Sequence, residues 1–317
     1  MRRMVLHRNK IQYPEEGVLL NDPDLIDFVR GMRESYWALM PTAGDPDPVA
    51  ELRRMAIPAA APDRCITVRT YRPSVDDPRP LPIMVFAHGG GFVSGDLDTH
   101  DVLCWALANR AEMLVISVDW RLAPEHPFPA GLDDLLAVLD WAAEHGETLG
   151  ADPTRLVICG DSAGGNLAAV AAACARDRNG PTLSAQLLFY PGLSNRMDTD
   201  SWKQFGRDRF PTRLVNTNAL RAYLPAGIGI DDPRVSPLRG DLAGLPPTAI
   251  LVGEYDPLRE EAISYAEALT AVGVPATHRV YPASKHGFVQ FFKDKATHPE
   301  GESALTDAVA FLREQLA

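Results

Sequence analysis

The sequence predicts an α/β fold with a mostly parallel, doubly wound sheet and helices on both of its faces. Three observations carry that expectation. From about residue 65 onward, short apolar runs alternate with helical stretches, the rhythm of repeated β-α-β units. The runs at 83–87, 114–118, 156–159, 185–190 and 248–252 lack the apolar–polar alternation of a half-exposed strand, so both of their faces are expected to be covered. At the centre, Gly160-Asp161-Ser162-Ala163-Gly164 stands between the apolar run 156–159 and a nearly all-Ala helix at 167–175. In that setting G-x-S-x-G reads as a sharp strand-to-helix turn that lifts a serine clear of the sheet. Glycines two residues either side let the turn close.

The elements follow in order. Asp22-Pro23-Asp24 supplies a helix cap with Pro at the first helical position, and Leu25, Phe28, Val29, Met32, Tyr36 and Met40 recur at helical spacing. The helix ends at the Pro- and Gly-rich stretch 41–48. Core packing and a cover over an active site both fit this helix, and the local pattern favours neither. Ile66, Val68 and Thr70 alternate with Thr67 and Arg69 as on a half-exposed strand, and a turn rich in Asp and Pro follows at 74–82. After the run 83–87 come His88-Gly89-Gly90-Gly91-Phe92 and a helix at about 102–111. The strand 114–118 leads to an amphipathic helix carrying Leu132, Leu135, Leu136, Leu139 and Ala143. Residues from about 193 to 229 break the rhythm. Trp202, Phe205, Phe210, Leu214 and Tyr223 still recur there, so the stretch reads as an insertion with a helix around 218–223. The alternation resumes with a strand at 248–252, a helix at 258–272, a short strand at 277–281 and a closing amphipathic helix at 303–316.

Composition narrows the function. At 317 residues with 46% hydrophobic and 23% charged residues, the chain is an ordinary globular protein long enough to bury a substantial core. Its net charge of −11, from 31 Lys+Arg against 42 Asp+Glu, repels phosphate backbones and argues against a nucleic-acid partner. Cys65, Cys104, Cys159 and Cys174 are scattered through apolar segments, forming neither a metal pattern nor a disulfide framework, and are expected as buried free thiols. The first eight residues carry charge without an apolar core, so no secretory leader is read, and no stretch reaches the length of a membrane span. The expected compartment is the cytoplasm.

A serine hydroxyl is a poor nucleophile until a base is positioned beside it and a carboxylate orients that base. In α/β-hydrolases these follow the nucleophile in the order acid, then His. Asp256, after the strand ending at Val252, and His286, after the strand ending at Tyr281, fall in that order behind Ser162. Asp256 also fits a helix cap before Pro257, and Glu254, Glu260 and Glu261 are rival acids, but the shorter carboxylate in the loop after the strand is favoured for the role. His286 taken alone reads as a loop residue. Of the eight histidines, though, it is the one that follows the last strand and precedes a glycine. Acyl transfer also needs fixed donors for a developing oxyanion, which bare glycine N–H groups can approach. The candidates are the N–H groups of Gly90, Gly91 and Ala163, with His88 bracing the loop. A phosphate loop is disfavoured because no Gly-Lys-Ser/Thr follows.

Five ordered motifs, spanning roughly residues 71–288, together resemble the hormone-sensitive-lipase-like (bacterial type IV) esterases. They are His88-Gly89-Gly90-Gly91-Phe92, the stretch from Asp119-Trp120-Arg121 to Phe128-Pro129, Gly160-Asp161-Ser162-Ala163-Gly164-Gly165-Asn166, Tyr255-Asp256-Pro257-Leu258-Arg259 and His286-Gly287-Phe288. The resemblance implies an α/β-hydrolase fold with a helical cap. It also implies a nucleophile at Ser162, an acid at Asp256, a base at His286 and an oxyanion hole at Gly90, Gly91 and Ala163. It implies that residues 1–45 and 195–228 form the cap, with 46–194 and 229–317 the catalytic domain. Trp120 stands where Tyr is usual and Glu260 where Asp is usual, and neither touches the inferred chemistry.

The expected activity is therefore hydrolysis of short- to medium-chain carboxylic esters through a serine acyl-enzyme, with no metal or organic cofactor. Its partner is a small-molecule ester, and the assembly a monomer or homodimer. A ligand-binding relative without the catalytic histidine is the reading from another class, and His286 argues against it. Acyl transfer to another acceptor, or amide cleavage, stays open on the same triad.

Overall fold

The computed structural model describes residues 22–59, 64–74 and 79–317. The stretch 1–21, which includes the part read as lacking a secretory leader and the start of the N-terminal segment, lies outside the described residues. So does the middle of the Asp- and Pro-rich turn. Among the described residues, eight strands form one sheet: β1 (Glu51–Pro58), β2 (Cys65–Arg72), β3 (Leu81–Ala87), β4 (Leu114–Val118), β5 (Ala151–Asp161), β6 (Ala185–Phe189), β7 (Thr248–Gly253) and β8 (Ala276–Tyr281). Their order is β1-β2-β4-β3-β5-β6-β7-β8, antiparallel through β1, β2 and β4 and parallel from β4 onward. Every residue of β3, β4, β6 and β7 is buried, as continuous apolar strands require when helices cover both faces.

The crossovers explain which helix lies where. From β3 the chain passes through α2 (Asp101–Ala111) to β4, on one side of β3, and then through α3 (Ala130–His145) to β5, on the other. Right-handed crossovers in opposite directions place α2 and α3 on opposite faces. Later strands continue in the second direction, so α4 (Ala163–Asp177) and α7 (Arg259–Ala271) share the face of α3, while α8 (Gly301–Leu316) packs beside α2. The direction of winding reverses between β3 and β5, and a crevice opens at their carboxyl ends. His88-Gly89-Gly90-Gly91 leaves β3 there and Ser162 leaves β5 beside it.

Three features differ from the expectations. β1 has no counterpart in the sequence reading, because as an edge strand it leaves most of its side chains in solvent and shows no buried stripe. Cys104 and Cys159 are buried, but Cys65 opens β2 at the end of the β1–β2 hairpin and is exposed, and Cys174 is half-buried. The insertion holds two helices rather than one: α5 (Asp200–Phe205) and α6 (Arg213–Tyr223). Thr199 and Thr212 cap them, accepting from Trp202 N at 3.4 Å and Val215 N at 3.2 Å.

The N-terminal helix α1 (Pro23–Leu39) begins at Asp22, whose side chain accepts from Leu25 N at 3.2 Å, and it buries Leu25 and Val29. Asp22 also pairs with Arg221 of α6 at 2.6 Å, so α1 and the insertion meet. The insertion is moored to the main body through Glu261 of α7. The Glu261 carboxylate accepts from Leu193 N at 2.9 Å, Ser194 N at 2.8 Å and Trp202 Nε1 at 2.7 Å. Trp202 is consequently buried against α7.

A buried donor left facing another donor costs about 1–3 kcal/mol. In Glu261→Gln the amide can still accept from the backbone, but it turns an N–H toward Trp202 Nε1. Denaturant unfolding should show a loss of about that size. The loss should shrink in a Trp202→Phe background, where the opposing donor is gone.

Candidate active site

Ser162 has φ 54° and ψ −118°, a conformation a non-glycine residue holds only when its surroundings impose it. A Cβ on Gly164 would run into the carbonyl oxygens of Ala87 and His88, and one on Gly160 into that of Gly164. The two glycines thus let α4 start hard against β3. Ser162 N donates to Phe189 O at 2.9 Å, tying the turn to β6.

His286 sits in the loop after β8, between Ala283 (φ 54°) and Gly287 (φ 84°). Its Nε2 lies 2.8 Å from Ser162 Oγ and its Nδ1 2.8 Å from Asp256 Oδ2. A carboxylate only accepts, so Nδ1 carries the proton and Nε2 is free to accept from the serine hydroxyl. The other oxygen, Asp256 Oδ1, accepts from Leu258 N at 2.9 Å, so Asp256 performs the turn-capping role as well as facing His286. The rival carboxylates are occupied elsewhere. Glu254 accepts from Ala283 N at 2.8 Å, Glu260 from Ser201 N at 3.0 Å, and Glu261 holds the insertion. None of these bonds involves His286.

The orientation of the glycine loop follows from peptide planarity, which points the C=O and N–H of one peptide in opposite directions. Gly89 O faces His88 Nδ1 at 2.8 Å, so Gly90 N–H points away from that ring. Gly90 O accepts from Ser94 N at 3.0 Å and Ser94 Oγ at 2.7 Å, so Gly91 N–H points away from that turn. Ser162 O accepts from Asn166 N at 3.0 Å along α4, leaving Ala163 N–H at the open helix start. Among the described residues these three N–H groups donate to no protein acceptor. A Cβ placed on Gly91 would lie 3.6 Å from Ala219 Cβ of α6 and 4.0 Å from Met32 Cε of α1. Both helices therefore reach the loop.

Two aromatic residues border the site. The Tyr190 ring lies 4.8 Å from that of His286 and its hydroxyl accepts from Gln290 N at 3.2 Å. Nothing in its local sequence marks it beyond its place at the end of an apolar run. Phe210, 53% exposed, puts its ring 5.7 Å from His286. Of the insertion's other aromatics, Trp202 is buried on Glu261, and Phe205 packs edge-on against Tyr255. Among the described residues, no group of three or more His, Cys, Asp or Glu is placed to hold a metal ion, and no helix is long and apolar enough to cross a membrane.

A family model described as alpha/beta hydrolase fold matches residues 84–290. The chain belongs to the hormone-sensitive-lipase-like esterases of the α/β-hydrolase fold. It is 45% identical to the carboxylesterase NlhH of Mycobacterium tuberculosis over 71% of this chain and 72% of that protein. It is 35% identical to an ethyl acetate hydrolase of Pseudomonas putida over 82% of each. Among solved structures, a hyperthermophilic esterase from the archaeon Pyrobaculum calidifontis superposes with a TM-score of 0.84 at 36% identity, over 93% of this chain and 95% of that one. As a member of this family, the enzyme is a serine carboxylesterase that hydrolyses carboxylic esters.

His88 is stacked on Trp120 at 4.9 Å and fully buried. Burial, with His100 nearby, pushes its pKa down from 6.5 to about 3. Between those values the unfolded chain binds a proton that the folded chain does not, so stability falls as pH drops from 6.5 toward 3. The slope is about 1.4 kcal/mol per pH unit for this one group. His88→Asn should flatten that part of the stability–pH curve, measured by urea unfolding at stepped pH.

Proposed function

We propose that Ser162, His286 and Asp256 act as nucleophile, general base and orienting acid, with Gly90, Gly91 and Ala163 N–H as the oxyanion donors. The observation that carries this reading is the unbroken hydrogen-bonded chain from Asp256 through His286 to Ser162, 2.8 Å at each link. Ser162 Oγ attacks the ester carbonyl carbon as its proton passes to His286 Nε2. The carbonyl oxygen becomes the oxyanion, and collapse expels the alcohol, which takes the proton from His286. Water then repeats the sequence on the acyl-enzyme with His286 as base. Asp256 keeps the imidazole in the Nδ1–H tautomer and stabilises its charged form.

A fluorophosphonate should label the Ser162 peptide, and Ser162→Ala should lower kcat about a millionfold. Asp256→Asn should cost about ten-thousandfold by favouring the wrong tautomer, while Glu254→Gln loses far less. Labelling elsewhere, or a larger loss from Glu254→Gln, would overturn the assignment.

Residues 1–45 and 195–228 serve as the cap over the catalytic domain formed by 46–194 and 229–317, and the substrate is a short- to medium-chain acyl ester. Supporting this are the Asp22–Arg221 pair between α1 and α6, Met32 beside Gly91, and the Phe210 ring beside His286. The similarity to a protein named ethyl acetate hydrolase points the same way. The enzyme works in the cytoplasm as a monomer or homodimer without a cofactor or nucleic-acid partner.

Each buried acyl methylene contributes about 0.8 kcal/mol until the pocket is full, after which overpacking costs about 1–3 kcal/mol. Across p-nitrophenyl esters, kcat/KM should rise and then fall within the short to medium chains, with no jump at an oil–water interface. Phe210→Ala should move the optimum to longer chains. Interfacial activation on long-chain triacylglycerols would refute the closed cap.

A further inference from the structure

A chain of buried polar groups runs from the N-terminal helix to the glycine loop and belongs to none of the roles assigned above. Gly89 N donates to Asp161 Oδ1 at 2.7 Å, joining the oxyanion loop to the residue before Ser162. A Cβ on Gly89 would collide with the same carboxylate, so the fit there is close. His100 Nε2 lies 3.1 Å from Asp161 Oδ1 and 3.2 Å from the hydroxyl of Tyr36 on α1. Tyr36 OH lies 3.0 Å from Gln290 Oε1, and Gln290 Nε2 lies 2.9 Å from Thr99 O. Asp161, His100, Thr99 and Gln290 are all buried.

Hydrogen-bond complementarity fixes the protons along this chain. Thr99 O only accepts, so the Gln290 atom facing it is the amide nitrogen, and Oε1 faces Tyr36. Oε1 only accepts, so the single hydroxyl proton of Tyr36 goes to it. The Tyr36 oxygen therefore presents a lone pair to His100, and Asp161 Oδ1 is also an acceptor. Both contacts require a proton on His100 Nε2. That N–H holds the carboxylate which in turn holds Gly89 N–H, one residue before the first proposed oxyanion donor.

The same helix braces the far end of the loop one turn earlier. Arg33 Nε donates to Val93 O at 2.8 Å, and its guanidinium grips Glu125 with two bonds of 2.7 Å. Residues 33 and 36 of α1 thus bracket the loop at Val93 and His100.

We propose that His100 is the positioning residue of the oxyanion loop and that Tyr36 holds it in place, so that α1 sets the placement of the oxyanion donors. This rests on the reading of Gly90, Gly91 and Ala163 as those donors. Removing one oxyanion donor outright costs about a hundred- to a thousandfold in kcat, and a displaced loop costs part of that.

The test uses the full chain carrying Tyr36→Phe, His100→Leu or His100→Gln. The readouts are kcat, KM, thermal stability, and affinity for a trifluoromethyl ketone and its methyl ketone counterpart. With the fluorinated ketone Ser162 Oγ bonds to the carbonyl carbon, its proton moves to His286 Nε2, and the oxygen becomes an oxyanion. The methyl ketone reports ground-state binding. Tyr36→Phe should lower kcat and trifluoromethyl ketone affinity together by about tenfold, with KM and methyl ketone affinity nearly unchanged. His100→Leu should lose more, and His100→Gln should recover part of it because its amide N–H reaches near the Nε2 position. A Tyr36→Phe enzyme that melts earlier but keeps kcat and the ratio of the two ketone affinities would overturn the inference, even if His100→Leu fails to fold. Failure of the underlying reading looks different: the unaltered enzyme would then bind both ketones alike.

Discussion

The constraint on which the site depends is the left-handed backbone at Ser162. A residue with a side chain stays in that conformation only if every relaxation route is blocked, and here the blocks are backbone atoms. Phe189 O takes the Ser162 N–H, and the Ala87 and His88 carbonyls press on Gly164. Those carbonyls are in place because β3 pairs directly with β5, from Ile83 opposite Leu156 to Ala87 opposite Gly160. The strain is therefore held by the whole central sheet. Because winding reverses at this pair of strands, the crevice that exposes Ser162 also receives the glycine loop.

Buried carboxylates tie the peripheral pieces to this centre. Asp161 joins the turn at Ser162 to the glycine loop after β3, Asp256 joins the end of β7 to His286, and Glu261 joins α7 to the insertion. Each accepts from at least two fixed donors, as a charge removed from water requires. These attachments differ in kind from the apolar packing of the core, since each has one geometry and fails if its partner moves. They suit a site in which donors must already be placed when charge develops.

The N-terminal helix combines both kinds of attachment. Leu25 and Val29 are buried by ordinary packing, whereas Arg33 and Tyr36 reach into the loop between β3 and α2. Asp22 meets the insertion through Arg221. The helix is thus tethered at several separate points, at Val93 and Glu125 through Arg33, at His100 and Gln290 through Tyr36, and at Arg221 through Asp22.

The alternation of apolar runs and helices, the capping residues at Asp22 and Pro23, and the order of Ser162, Asp256 and His286 were all legible in the sequence. Periodicity, turn chemistry and chain order are local properties that the chain states directly. β1 escaped because an edge strand with solvent on most sides has no stripe to read, and Cys65 is exposed because it stands at the open end of the β1–β2 hairpin, beyond the pairing of β2 with β4. The sequence favoured Asp256 over Glu254 only as the shorter carboxylate of the loop after β7, since the two sit two residues apart there. Only the turn after β7, which sends Glu254 to Ala283 N, separates them. Trp202 and Phe210 are both aromatic residues of one insertion, yet one is buried on Glu261 and the other stands beside His286. The bond from Tyr36 to Gln290 spans 254 residues. Such contacts follow from where the sheet brings distant segments together, and the tertiary structure alone decided them.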